Sequence, residues 1–102
     1  MLTGYLLLLA ATIVVELPIV AAAAGARRRG DAARAAVALN LLTHPLATAA
    51  VLLWPGSWAP AELGVVAIEY LGYRSLARLA VPRAAAAALL ANLATAALAL
   101  WW

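Results

Sequence analysis

Residues 2–24 read LTGYLLLLAATIVVELPIVAAAA, an apolar run interrupted by one charge, Glu16, and one proline, Pro18. A helix crossing a bilayer needs about 20 mainly apolar residues at about 1.5 Å rise each, and this run supplies them. It is not a cleaved signal peptide by pattern: no basic segment precedes it, and Glu16 and Pro18 break the apolar stretch. Its positive charge follows the apolar run, which places the N-terminus outside.

Working outward, three further windows of similar length tile the rest of the 102 residues, at about 35–54, 62–81 and 84–102. The fold expected is all-α, a single transmembrane four-helix bundle with antiparallel neighbours, because short links force sequential helices to reverse. Composition agrees. The chain is 69% apolar and 11% charged, with mean hydropathy +1.02, against about 45–50% and about 25% in soluble domains. These values exclude a water-soluble domain and disorder alike. The lack of cysteine excludes a disulfide scaffold or thiolate chemistry. Alternation of the kind a membrane barrel needs is missing from alanine runs such as residues 84–88.

The connections carry their own signals. Residues 25–31, Gly-Ala-Arg-Arg-Arg-Gly-Asp, form a charged turn, and residues 55–60, Pro-Gly-Ser-Trp-Ala-Pro, form a helix-breaking one. Every positive charge is arginine: Arg27, Arg28, Arg29 and Arg34 flank the first connection, and Arg74, Arg78 and Arg83 the third. The positive-inside rule makes both connections cytoplasmic in a multi-pass protein of the cell membrane, with N- and C-termini outside. Trp54, Trp58, Trp101 and Trp102 then map to the outer interface, where indoles anchor. Arg27, Arg28 and Arg29 read as topology determinants with some attraction to anionic lipid, and Arg78 and Arg83 as side chains that snorkel to the surface. Clusters this short between apolar runs do not make a nucleic-acid interface.

Function is sought among polar residues within the spans: Glu16, Asn40 and His44, Glu69 with Tyr73 and Arg74, and Asn92. A charge at mid-membrane costs about 2.5–3.5 kcal/mol, so such groups turn inward and pair. Helical rise puts Glu16, His44, Arg74 and Asn92 roughly 10–14 Å from the cytoplasmic side, Glu69 roughly 18 Å and Asn40 roughly 8 Å. Helical spacing keeps Thr12 with Glu16, Asn40 with His44, Asn92 with Thr95, and Glu62 with Glu69 and Tyr73, each on one face. Pro18 and Pro45 free the carbonyls of Val14 and Leu41, which opens room for a small wet site.

These residues support a binding or transfer site for a proton, cation or small solute. The alternatives are an accessory subunit of a larger membrane complex, with Arg74 or His44 as a structural partner of Glu16, and a membrane-embedded metal enzyme. By ligand type, His44, Glu16 and Glu69 suit a divalent metal, although the Glu-x-x-His pairs of di-iron bundles are missing. Catalytic signatures such as HExxH, GxSxG or a phosphate loop are also missing. Besides the bilayer, the partner expected is a second copy of the chain or a larger membrane protein, since one bundle this small is thin for enclosing a pathway.

The stretch Asn40-Leu41-Leu42-Thr43-His44-Pro45-Leu46 resembles a motif of small uncharacterised prokaryotic membrane proteins. In these a Glu-x-Pro span comes first, matched here by Glu16-Leu17-Pro18. A span with Glu and Tyr and one with Ala-Asn follow, matched by Glu62 with Glu69-Tyr70 and by Ala91-Asn92. The resemblance covers nearly the whole chain and implies four spans but no activity. In size the chain is similar to small multidrug-resistance exporters, which carry a glutamate in the first span. The lysine-containing pattern expected after that glutamate is replaced here by Val15-Glu16-Leu17-Pro18, and the arginine asymmetry disfavours dual topology.

Overall fold

The computed structural model describes residues 2–99. They form α1 (Leu2–Ala24), a short 3₁₀ turn (Ala26–Arg28), α2 (Arg29–Leu53), α3 (Trp58–Ser75) and α4 (Val81–Ala99). Each helix packs on its neighbours in sequence, and α4 closes the ring against α1; the diagonal pairs do not meet. The long axis spans 39 Å. The first and third connections share one end, here the arginine end, and the second lies at the other, the tryptophan end. Trp101 and Trp102, expected at that second interface, lie outside the described residues.

Local chemistry sets the links. Gly25 has φ 83° and ψ 166°, a combination available in practice to glycine alone, and it separates α1 from the 3₁₀ turn. In the second link Ser57 N–H donates to the Trp54 carbonyl at 3.1 Å and Gly56 has φ 88°. Pro55 followed by a positive-φ glycine is the type II turn arrangement. The Ala50 carbonyl near the end of α2 accepts both the Trp54 N–H at 2.9 Å and Ser57 Oγ at 3.1 Å, which ties the turn to the helix. Pro60 and Pro82 sit in the first turns of α3 and α4, where a missing N–H costs nothing.

Three helices differ in their bounds from the sequence expectation; α4 starts at Val81 rather than residue 84, and the larger shifts are in α2 and α3. The second helix starts at Arg29 rather than residue 35, because the alanines and charged residues of 29–34 continue the helix and Asp31 is bound by Arg34 at 2.9 Å. The third spans Trp58–Ser75 rather than 62–81. Its end carries no glycine or proline signal. Arg78 takes the left-handed conformation (φ 56°), Leu79 N–H turns back to the Tyr73 carbonyl at 3.0 Å, and Arg74 Nη1 holds the Leu79 carbonyl at 2.9 Å. Length and apolarity qualify three helical stretches to cross a membrane, Leu2–Ala24, Ala26–Leu53 and Val81–Leu98. The third helix carries Glu62, Glu69 and Arg74 and falls outside that group.

The interior is built from small residues. Ala32, Ala35, Ala36, Ala77, Ala84, Ala87, Ala88 and Ala91 are buried with Val20, Leu39, Tyr73 and Leu79, all in the half near the arginine end. Large apolar side chains such as Leu7, Val14, Leu41, Leu52, Leu63, Leu71 and Leu93 face outward. Small side chains allow close helix approach, and Gly72 of α3 leaves room for Leu39 of α2: a Cβ at Gly72 would stand 2.5 Å from Leu39 Cδ2 and 2.7 Å from Cδ1.

This contact predicts a change of sign. Gly72→Ala gains about 1 kcal/mol of helix propensity but overpacks a filled site at a cost of about 1–3 kcal/mol, so it lowers stability in the native chain. In a Leu39→Ala background the same substitution raises stability. Thermal unfolding of the four proteins in one mild detergent measures both effects; equal effects in the two backgrounds would show that Gly72 and Leu39 do not pack together.

Candidate functional site

Four buried polar side chains, one per helix, form a layer across the bundle: Glu16 on α1, Asn40 on α2, Glu69 on α3 and Asn92 on α4. The shifted helix boundaries create this layer. Starting α2 six residues earlier moves Asn40 about 9 Å further from the arginine end, and ending α3 six residues earlier brings Glu69 about 9 Å closer. Arg74, expected in the layer, is carried instead to the last turn of α3, where it is exposed and binds the Leu79 carbonyl. It does not pair with Glu16 or Glu69.

Asn40 connects two helices. Its Nδ2 donates to Glu16 Oε1 at 3.2 Å and to the Ala36 carbonyl at 2.8 Å, which uses both amide hydrogens. Asn92 Nδ2 donates to the Ala88 carbonyl at 2.7 Å, and its amide stands beside Glu69. Glu16 and Glu69 stand within electrostatic reach of one another, with Thr95 next to Glu16. Glu69 Oε2 and Tyr73 Oη are buried without a hydrogen-bond partner in the protein. Ion pairs among the described residues join only Asp31 to Arg28 and Arg34. Both buried carboxyl groups therefore lack a cation.

On the tryptophan side of this layer lies a cavity of about 170 Å³. Glu16, Asn40, Glu69 and Asn92 floor it; Thr12, Thr43, His44 and Thr95 line its walls, and it extends to Trp58 and Glu62 at the start of α3. The alanine-packed half closes it from the arginine end. His44 is half-buried, with its ring edge-on to Tyr5 at 5.2 Å between centroids, and its Nδ1 has no partner in the protein. At this size the cavity suits a few waters, an ion or a very small solute rather than a drug-sized ligand, which needs about 300 Å³ or more.

The hydrogen-bond inventory gives the cavity a preference. Thr12 and Thr95 spend their hydroxyl hydrogens on carbonyls of their own helices, and Asn40 spends both of its own. The wall is left with surplus acceptors: carboxyl oxygens, amide carbonyls and hydroxyl lone pairs. Such a lining favours a proton, a cation or a donor-rich solute over an anion. Among the described residues no three His, Cys, Asp or Glu side chains group closely enough to hold a metal ion. The ligand set Glu16, His44 and Glu69 does not form among the described residues: His44 sits one helical turn from Asn40 toward the tryptophan end and packs edge-on against Tyr5.

Of the residues expected at the site, Glu16, Asn40, His44, Glu69, Tyr73 and Asn92 are brought together or lie directly against the cavity floor, and Arg74 is not. Thr43, Trp58 and Tyr5 also belong to this region. Thr43 was accessible to sequence reading, being three residues from Asn40 and one from His44; Tyr5 and Trp58 meet the site only through packing between helices. The chain matches no protein-family model, no curated protein and no solved structure, so its site is read from its own residues.

Unequal costs are expected for two neighbouring buried groups. Asn40→Ala removes the amide that bridges to Glu16 and lowers stability by about 1–3 kcal/mol. Tyr73→Phe removes a hydroxyl without a protein partner and changes stability by less than about 1 kcal/mol. Unfolding in detergent measures both, and a larger loss for Tyr73→Phe would show that the phenol rather than the amide holds the layer together.

Proposed function

We propose that this chain is a small multi-pass protein of the cell membrane whose bundle takes up a proton or small cation at the Glu16–Glu69 floor of its cavity. The carrying observation is the pair of buried carboxyl groups on facing helices with no cationic side chain to offset either. Breaking or omitting the partner of a buried charge is among the costliest arrangements in a protein. Two like charges at one site repel as well. The floor becomes charge-balanced when both carboxyl groups are protonated, or when one is protonated and a monovalent cation binds the other, and the acceptor-rich wall supplies the remaining coordination.

The membrane reading is supported by the inverted distribution of side-chain size. In water, leucines would gain about 25 cal/mol per Å² on burial and alanines would be the residues left outside. Here leucines face outward and alanines inward, the arrangement that serves a bundle surrounded by acyl chains. Under the positive-inside rule the arginine end is cytoplasmic, so the cavity faces the outer side and is sealed toward the cytoplasm.

Two measurements test this reading. In proteoliposomes holding a trapped pH indicator, or a sodium or potassium indicator, Glu16→Gln and Glu69→Gln should each abolish flux while preserving the unfolding temperature. Absence of flux in the native chain, or native flux in both variants, would overturn it. The chain has no cysteine, so single cysteines report topology directly. Ala59→Cys should react with an impermeant thiol reagent applied to intact cells, and Ala26→Cys only after permeabilisation; the reverse pattern would place the cavity mouth on the cytoplasmic side.

A further inference from the structure

A second concavity, of about 300 Å³, lies at the arginine end between the first and third connections. Arg27 and Arg28 line it from one connection, Arg78 and Arg83 from the other, with Gly25 and Leu79 between them. No acidic residue lines it. Asp31, the nearby acid, is taken by Arg34 at 2.9 Å and reaches Arg28 only at 3.9 Å. Arg27, Arg78 and Arg83 have no carboxylate within ion-pair distance among the described residues.

Topology alone does not require this arrangement. The positive-inside rule depends on how many arginines lie on one side, and mutual repulsion would spread them. Instead, residues some fifty positions apart in sequence converge on one concave surface, and two features hold them there. Arg83 Nη1 donates to the Ala23 carbonyl at 3.2 Å, which anchors one edge of its guanidinium against the end of α1. Arg78 occupies left-handed backbone (φ 56°), a conformation unfavourable for a residue with a long side chain.

We propose that this concavity binds a phosphate-bearing anion, either the headgroup of an anionic phospholipid or a soluble phosphate. Guanidinium groups match phosphate oxygens in a bidentate manner, and several arginines around one concavity can engage one phosphate from different sides. The site is independent of the carboxyl-floored cavity, which lies beyond the alanine core at the other end of the bundle.

Native mass spectrometry of the purified chain tests the proposal, with phosphatidylglycerol or phosphatidylcholine added in mixed micelles and inorganic phosphate titrated separately. Saturable retention of phosphatidylglycerol over phosphatidylcholine, or saturable phosphate binding, is expected. The double variant Arg27→Gln/Arg78→Gln should weaken it by about tenfold or more, as loss of charged hydrogen bonds implies. Arg29→Gln removes the same kind of charge from an exposed position that does not line the concavity and should leave binding unchanged. Arg78→Gly relieves the backbone while deleting the guanidinium; it should weaken binding in a chain at least as stable as the native one. Displacement of the lipid by inorganic phosphate would identify phosphate itself as the recognised group, and retention against it would identify the lipid headgroup. Equal retention of both lipids without phosphate binding, or equal weakening by Arg29→Gln and the double variant, would overturn the site.

Discussion

The Asn40–Glu16 hydrogen bond joins the two polar groups that helices α1 and α2 cannot leave in apolar surroundings. A carboxyl group there must find a donor or remain at high cost, and a side-chain amide on the next helix is the donor this bundle supplies. Forming that bond fixes the rotation of both helices about their axes. On α3 and α4 Glu69 and Asn92 lie side by side at the same level, and the four residues together face the interior of the ring. Everything on the opposite faces is then turned outward, which is where the leucines lie.

Small residues make such a layer compatible with tight packing. Alanine contributes little apolar area to burial, but it allows backbones to approach closely, and at Gly72 the space a Cβ would take is filled by Leu39. The consequence is a bundle with unequal halves. Toward the arginine end, alanines fill the axis and exclude water. Toward the tryptophan end, threonines, His44 and Glu62 replace them and leave a cavity. The floor of that cavity is also the roof of the packed half, so polar chemistry and close packing meet at one level of the bundle.

The arginines divide into distinct roles that their shared charge conceals. Arg34 and Arg28 serve Asp31 at the start of α2. Arg74 stabilises the loop after α3 by holding the Leu79 carbonyl, and Arg83 closes the end of α1. Arg27 and Arg78 have no such duty and face the same concavity. A count of positive charges orients a membrane protein, but the hydrogen bonds distinguish arginines that complete the fold from those left available to an anion.

Much of this was legible in the sequence, and the reason is periodicity. Apolar runs of helical length, the Pro55-Gly56 turn and the i, i+3 and i, i+4 spacing of Asn40, Thr43 and His44 report local structure, which depends on neighbours a few residues away. They establish four helices and offer Glu16, Asn40, His44, Glu69, Tyr73, Arg74 and Asn92 as candidates for a common interior, with Glu16, His44, Arg74 and Asn92 at similar depth. They do not establish which of these residues share a level, because that depends on where each helix begins and ends. The end of α3 rests on an arginine in a left-handed conformation and on a guanidinium reaching five residues onward, and neither has a sequence signature. That one boundary removed Arg74 from the interior and left two carboxyl groups without a cation. Helix identity was set by the order of residues along the chain; the charge balance of the site was decided by tertiary structure, since ion pairing depends on distances of a few ångströms between segments that only packing brings together.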